Sequence, residues 1–545
     1  MLRTAPRLLR FIAIGLLCAL LALIVWRVGR LAGLAWQGAA AARQLLADGS
    51  SGADQETLAE RLPRLQADLE LLDERLAALN AEVLPLVPAA KALAGAPGYG
   101  GAIAQAPERL LSAGRLLDTA MALEPHWEWL LGLDAPRRYL LLVQNNHELR
   151  ATGGFLSSFG TVVVEQGQIA DLAFVDSYEL FSTAHEYPPA PEPMQRYMGI
   201  QLLTPRDGNW SPDLPTAAET IRKLYTQETG QAVDGIITVD LDTVRHIVKA
   251  LGSVRVEGVT TPITAENVEQ ELVQLWEQPV EQAGETGGVT EATGDWWDKR
   301  KDFVPLIAGA ALSQLQAGKY DATDLVAELT SALDQRSIQV WMDRAGVQKV
   351  LADQKWDGGL HPPTDGDFLA VVDSNVGYNK VDAALQRALQ YEVAWPQGPE
   401  QPAEVMLTMT YTQPVVAEDP GCNPAPRYGD NYADLIARCY FDYIRVFVPG
   451  GSELMNVSGI DPQTVTSTVG EKGTQQFGGY FVVPPNSTKS ITFTYRLPAG
   501  ITPQDYSLRI QRQSGTDPLP IRVAVNEMVR TGTIKDGEWE WQQAI

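Results

Sequence analysis

The sequence has few of the residues that build metal centres or nucleophilic active sites. It contains three cysteines and five histidines in 545 residues, and no two of either type stand at metal-ligand spacing. It also contains neither a nucleophile elbow, G-x-S-x-G, nor a P-loop, G-x-x-x-x-G-K-S/T. These absences remove most of the support for metallohydrolase, serine hydrolase and nucleotide hydrolase functions.

Basic residues are scarce as well. The chain has 43 Lys and Arg against 67 Asp and Glu, a formal net charge of −24. Five arginines fall within the first 30 residues, which hold no acidic residue, so the rest of the chain is more acidic still. A body of this charge should repel nucleic acid, and we expect no nucleic-acid partner.

The sequence contains a single long apolar run, FIAIGLLCALLALIVW, at residues 11–26. It is slightly short of the ~20 residues that span a bilayer, but flanking arginines can snorkel to the surface. A cleaved signal peptide with a site near residues 38–41 is the alternative. We favour an uncleaved single-pass anchor over residues 11–30, with a cytoplasmic tail at 1–10 and the body on the extracytoplasmic side of the cell membrane.

Two of the three cysteines lie outside that run. Cys422 and Cys439 could close a disulfide loop in an oxidising compartment, worth roughly 3 kcal/mol. Free buried thiols are the alternative.

Eight leucines and Val83, at alternating steps of four and three, mark a heptad seam from Leu58 to Leu86. The seam predicts a long helix that needs a partner. Residues 108–123 are a second amphipathic candidate, so an intramolecular hairpin is one interpretation. A parallel homodimer through residues 58–86 is the other.

The remaining chain shows two different patterns. Strand and helix signals alternate over residues 136–394, which is typical of an α/β layer. Short period-two strands follow over residues 403–545, which is typical of a β-sandwich. We therefore predict a multidomain α+β protein with a single N-terminal transmembrane helix, a helical hairpin or coiled-coil segment at 31–135, a central α/β domain and a C-terminal β-sandwich.

Four polar clusters, at residues 145–154, 204–213, 298–302 and 371–380, adjoin apolar elements of the predicted α/β domain. The third of them opens a predicted helix, and each is also compatible with an ordinary turn, cap or ion pair. If they converge, their cations make an anion site, and nearby carboxylates could hold Mg²⁺ against a pyrophosphate. The candidate catalytic residues are Arg150, Arg206, Asp207 and Arg300. The candidate ligand-binding residues are Asn145, Glu148, Gly153, Gly154, Asn209, Asp213, Asp373, Asn375 and Lys380, with Asp207 and Asp213 as candidate Mg²⁺ ligands.

Residues 137–390 resemble a bacterial family of membrane-anchored proteins, domain-of-unknown-function family 4012. The resemblance is carried by YLLLVQNNHELRATGGFLSSFG, RDGNWSPDLP, DGIITVDLDTVRHIVKALGSVRVEGV and DFLAVVDSNVGYNK. The third stretch is also similar to the LytR-CpsA-Psr family, which transfers glycopolymers from polyprenyl pyrophosphate lipids by means of arginines and aspartates around Mg²⁺. Arg206 and Asp207 match that family's Pro-Arg-Asp turn, and Arg300 resembles its later basic helix start. The early Arg-x-Asp strand of that family has no counterpart here.

Two functions remain open at this point. The resemblance implies a cell-envelope protein that binds a polyprenyl-phosphate-linked or other anionic glycan and transfers it with Mg²⁺. In that mechanism Arg150 would grip a phosphate at the carboxyl end of a core strand. The alternative is a non-catalytic assembly or adhesion module that acts through its helical and β-sandwich domains on a partner or wall polymer. A basic cleft would favour the first, and arginines paired with local acids would favour the second.

Overall fold

The computed structural model describes residues 58–83, 114–278, 301, 303–396, 398, 401–417, 421–426 and 431–542. These residues fall into two compact bodies. One lies within residues 1–136 and includes 165–168, and the other covers 137–164 and 169–545. The predicted tail, the predicted anchor at 11–30 and Arg300 lie outside the described residues.

The first body contains the predicted seam helix. Helix α1, Leu58–Val83, follows the heptad leucines and carries Pro63 within it. Further helical residues at 114–123 precede a short helix α2, Trp127–Leu130. The Gln66 side chain of α1 hydrogen-bonds the carboxylate of Glu124, which lies between those two elements. An intramolecular contact of the hairpin kind is therefore present, and the homodimer through residues 58–86 stays a prediction.

The prediction of a single-pass anchor and of an extracytoplasmic location resting on it is not supported. Within the described ranges, no helix combines the length and the apolar character needed to cross a bilayer.

The second body begins with a five-stranded sheet in the order β3-β2-β1-β4-β5. Strands β1 and β4 are parallel, whereas β1 with β2 and β4 with β5 are antiparallel. The apolar run YLLLV at residues 139–143 lies within β1, and Leu140 and Leu142 are fully buried there. The five strands are β1 Arg137–Asn145, β2 Phe155–Glu165, β3 Gln168–Asp176, β4 Gly235–Val239 and β5 Gln339–Met342.

Helices cover this sheet and extend from it. Helix α3, Leu214–Thr229, buries Leu214, Ala218 and Ile221 against β1. The helix that follows β4 has Asp240 as its N-cap. Asp240 and Thr243 form a capping box, in which each side chain bonds the other residue's backbone N–H. The remaining helices of this body are α4 Leu241–Leu251, α5 Val268–Glu277, α6 Phe303–Gln316, α7 Ala322–Asp334, α8 Ala345–Asp353 and α9 Tyr432–Ile436.

Two six-stranded sheets share one apolar core. Their orders are β10-β13-β8-β7-β15-β16 and β11-β12-β9-β6-β14-β17. Their strands are β6 Asp367–Val372, β7 Gln386–Ala394, β8 Glu404–Gln413, β9 Tyr440–Pro449, β10 Glu453–Ser458, β11 Thr466–Val469, β12 Thr474–Val483, β13 Ser487–Arg496, β14 Ser507–Gln511, β15 Leu519–Val525, β16 Met528–Ile534 and β17 Glu538–Gln542. A disulfide joins Cys422 to Cys439, the first of the two alternatives for these cysteines.

The predicted fold class is wrong. The described chain forms three mixed sheets, with no membrane-spanning helix among its described residues. The strands β6 and β7, which the alternating pattern assigns to a central α/β layer, pair instead with β9, β14, β8 and β15 from later in the chain. Periodicity identifies a buried strand but carries no information about its partner, and this non-local pairing decides the sheet to which a strand belongs.

Candidate functional site

The loop of residues 146–154 links β1 to β2 and lies at the carboxyl end of β1. Its two glycines serve the turn. Gly153 has φ +136°, and a Cβ on Gly154 would stand 2.5 Å from the carbonyl oxygen of Asn145. The Asn209 amide donates to the Gly154 carbonyl at 2.9 Å and to the Thr152 hydroxyl at 2.9 Å. Asn209 therefore ties the later polar cluster to this loop.

The loop also joins the five-stranded sheet to the segments that follow β6 and β14. The Leu149 carbonyl accepts from the Asn375 backbone at 3.0 Å, and the Leu149 N–H donates to the Asp382 carboxylate at 3.0 Å. The Gln513 amide donates to the Arg150 carbonyl at 3.0 Å. These bonds place the loop within the body of the protein rather than on an open rim.

Arg150 is buried at the centre of this joint, with 4% of its surface exposed. Its guanidinium donates to the Glu148 carboxylate at 2.9 Å, to the Leu149 carbonyl at 3.1 Å and to the Asn375 carbonyl. The other oxygen of Glu148 accepts from the Lys380 ammonium at 2.6 Å. Glu148 thus pairs with one cation from its own loop and with one from more than two hundred residues away.

The electrostatics of Glu148 agree with this arrangement. Burial acts to raise the pKa of Glu148, but Lys380 and then Arg150 outweigh it and hold that pKa below its ordinary value. The carboxylate is therefore ionised at neutral pH between two buried cations.

Arg206 and Asp207 lie beside this cluster, in a short 3-10 helix at Pro205–Asp207. The Arg206 Nε stands 3.2 Å from the Asp207 carboxylate, and the guanidinium lies 4.4 Å from the ring centre of Tyr178. Burial raises the pKa of Asp207, while Arg206 and Arg150 act to lower it. The structure thus brings together Glu148, Arg150, Lys380, Arg206 and Asp207 from three of the four clusters predicted from the sequence.

A further cation in this region was not singled out by the sequence. Lys301, next to the undescribed Arg300, donates to the Asp176 carboxylate at 2.5 Å and to the Ser157 carbonyl at 2.5 Å. Its ammonium also lies 5.1 Å from the ring centre of Tyr178. The available signal was the predicted helix start at 298–302, which contains three cations and does not distinguish Lys301 from the others.

Asp213, the second candidate Mg²⁺ ligand, is occupied elsewhere. It caps α3, accepting from the Thr216 hydroxyl at 2.7 Å and from the Leu360 N–H at 3.0 Å, and Lys472 lies 3.3 Å away. Across the part of the chain that the structure describes, no group of three or more acidic, histidine or cysteine side chains is arranged to hold a metal. These donors do not fit a Mg²⁺ site, and Mg²⁺ binding stays a prediction from the sequence alone.

The fourth cluster contributes buried structural contacts. The Asn375 amide donates to Asn379 and Asp382, each at 2.8 Å. Asp373 accepts from Arg387 at 2.8 Å and from the Tyr411 hydroxyl at 2.7 Å. At the start of the loop, the Asn145 side chain accepts from the His147 N–H at 3.0 Å.

The sequence did not single out Arg387 and Asp442, which complete this network. Arg387 also pairs with Asp382 at 2.5 Å, and Asp442 is fully buried close to these acids. Burial, with Asp373 and Asp382, raises the pKa of Asp442 well above its ordinary value. A charged residue within an apolar strand, as in YFDYIRVFV, was the signal that could have identified Asp442.

Comparisons with known proteins give limited results. No curated protein matches the chain. A solved structure of a candidate nutrient binding protein from Legionella pneumophila matches at 9% identity over 33% of this chain and 67% of that one. Its TM-score of 0.18 is too low to support an argument about fold or ligand. These comparisons do not show a similarity to the LytR-CpsA-Psr family. Residues 134–275 match the family model described as a protein of unknown function, DUF4012, so the stretch that carries Glu148, Arg150, Arg206 and Asp207 is similar to that family.

Proposed function

We propose that this protein is a non-catalytic binding and assembly module, in which the charge cluster around Arg150 holds separate parts of the fold together. The observation that supports this most directly is the internal pairing of the cations that a transferase would need. Arg150 and Lys380 pair with Glu148, Arg206 pairs with Asp207, and Lys301 pairs with Asp176.

A transferase acting on a pyrophosphate lipid needs cations that can reach phosphate oxygens. Arg150 would have to leave a buried carboxylate and two buried carbonyl groups to do so. Its departure would break its buried ion pair with Glu148, and breaking such a pair from one side is costly. Arg206 is the most accessible of the three candidate cations in the described chain, with 30% of its side chain exposed, and it too is paired.

Assembly would use the heptad seam of α1, and the predicted homodimer through residues 58–86 belongs to the same proposal. Binding of a glycan or other polymer would use the two six-stranded sheets. Neither role needs Mg²⁺ or a covalent step.

The proposal predicts the result of a titration with farnesyl pyrophosphate, a short polyprenyl pyrophosphate. We expect no saturable binding by calorimetry, with or without Mg²⁺, because the cations of the cluster are already paired with carboxylates of the protein. Arg206→Ala should give the same result, as should Arg196→Ala, a matched control at an exposed pair with Glu192. Saturable, Mg²⁺-dependent binding that Arg206→Ala weakens by about 1.5–3 kcal/mol, and Arg196→Ala does not, would contradict the proposal.

A further inference from the structure

A groove of about 370 Å³ lies on the face of the β7-β8 sheet that points away from the shared core. Its floor comes from the start of β7 and the end of β8, and its wall comes from the segment that leads into β15. The volume is within the range of sites that hold small molecules, ~300–1,000 Å³. The lining residues are Leu385, Gln386, Arg387, Ala388, Thr410, Thr412, Asp517, Pro518 and Pro520.

The floor presents hydroxyl groups on a rigid surface. Thr410 lies opposite Ala388 and Thr412 opposite Gln386 in the β7-β8 ladder. Each threonine hydroxyl is within hydrogen-bonding distance of a hydroxyl on β13, at 3.1 Å for Thr410 and 2.9 Å for Thr412. A pair of hydroxyls uses one of its two donors internally, so each pair keeps a donor and several lone pairs for a ligand.

The wall adds polar groups whose hydrogen-bonding capacity is unused. Asp517 and Gln386 are exposed, and within the described part of the chain their side chains have no hydrogen-bonding or ion-pairing partner. Pro518 and Pro520 are also exposed and present apolar ring surface beside them. The fixed φ of proline limits the conformations of this wall before any ligand arrives.

The charge of the groove argues against an anionic ligand. Among the described residues that line it, Arg387 is the one cation, and its guanidinium is bonded to Asp373, Asp382 and the Tyr440 hydroxyl. Asp517 remains as the unneutralised charge, so a phosphate or carboxylate would meet repulsion.

We propose that this groove binds a neutral oligosaccharide, whose hydroxyl groups would bond to Thr410, Thr412, Gln386 and Asp517 and whose C–H faces would lie on Pro518 and Pro520. This inference rests on the proposed binding function and names its ligand class. The hydroxyl row continues along β8 to Thr408, which pairs with Thr492 at 3.0 Å. A chain of several sugars should therefore bind better than a single sugar.

Binding of neutral hexasaccharides to the full chain tests the inference. The probes are the β-1,4-linked hexamers of glucose, xylose, mannose and N-acetylglucosamine, with the corresponding monosaccharides, measured by calorimetry. We expect saturable binding of at least one hexamer and weaker binding of its monosaccharide. Asp517→Asn and Thr412→Val should each raise the Kd about tenfold, the scale of one lost hydrogen bond to a charged or polar group.

Matched controls are available at exposed positions away from the groove. Asp505→Asn and Thr468→Val make the same chemical changes at exposed residues that do not line it and should leave the Kd unchanged. No binding of any hexamer, or binding that all four variants leave equal, would overturn the inference. A failure here is distinguishable from a failure of the proposed function, because farnesyl pyrophosphate is titrated separately and engages a different part of the molecule.

Discussion

Replacement of Glu148 by glutamine should lower the free energy of unfolding by about 3–5 kcal/mol, the scale of breaking a buried ion pair from one side. The carboxylate accepts from Arg150 at 2.9 Å and from Lys380 at 2.6 Å, and both cations are largely shielded from water. Glutamine keeps the shape but removes the charge, and its amide group would point a donor at one of the two cations. Chemical denaturation monitored by tryptophan fluorescence measures the change.

Two further variants test whether the loss of stability in Glu148→Gln comes from the buried ion pairs or from any removal of a carboxylate. Glu192→Gln removes a carboxylate that faces Arg196 at 3.8 Å on the surface, with 65% of its side chain exposed, and should cost under about 1 kcal/mol. Adding Lys380→Met to Glu148→Gln removes one of the two stranded cations, so the double variant should be less destabilised than the sum of the single changes. A Glu148→Gln cost equal to the surface control would show that the cluster does not hold the sheets together.

Local features of the site were accessible from the sequence. The apolar runs on either side of the loop predict β1 and β2, and their observed bounds agree to within a few residues. The spacing of Glu148 and Arg150 leaves both a phosphate grip and a structural pair open, and in the structure the two residues are paired. The glycine pair predicts a close backbone approach, and Gly154 makes one to Asn145 of the same turn.

What the sequence could not provide is the set of distant partners. Lys380, Asn375 and Gln513 reach the loop from separations above two hundred residues. No periodicity encodes such contacts, because they depend on which strands pair. For the same reason the groove was not predicted: Asp517 follows β14, and the threonines it faces belong to a strand more than a hundred residues earlier.

Charge placement distinguishes the two parts of the molecule that the proposals concern. Around Arg150 the side chains of Glu148, Arg150 and Lys380 are largely buried and paired with one another, which favours a fixed geometry over exchange with a ligand. At the groove the polar groups are exposed and incompletely used, which favours exchange with a ligand. A site that binds needs unused hydrogen-bonding capacity, and the groove offers it where the cluster does not.

Asp367, at the start of β6, should make the protein less stable as pH rises through 6. It is fully buried and accepts from the hydroxyls of Tyr391 and Tyr506 at 2.7 and 2.6 Å. Among the residues that the structure describes, no cation is bonded to it. Burial raises the pKa of Asp367 to about 6, although these hydroxyls and the Phe368 N–H act to lower it. The pKa in the unfolded chain is about 3.9.

The direction of the change in stability follows because the pKa of Asp367 is higher in the folded protein than in the unfolded chain. The folded protein holds the Asp367 proton more tightly than the unfolded chain, so the contribution is fully present below about pH 3.9 and is lost as pH rises through about 6. The loss amounts to roughly 3 kcal/mol at 1.36 kcal/mol per unit. Asp367→Asn cannot ionise, so the difference in unfolding free energy between wild type and variant should shift by most of that amount in the variant's favour between pH 4 and pH 7. Asp365→Asn, an exposed aspartate two residues earlier, should leave the wild-type profile unchanged. Parallel profiles for wild type and Asp367→Asn would mean that Asp367 is ionised in the fold throughout this range, and that its tyrosine hydroxyls stabilise the charge more than burial opposes it.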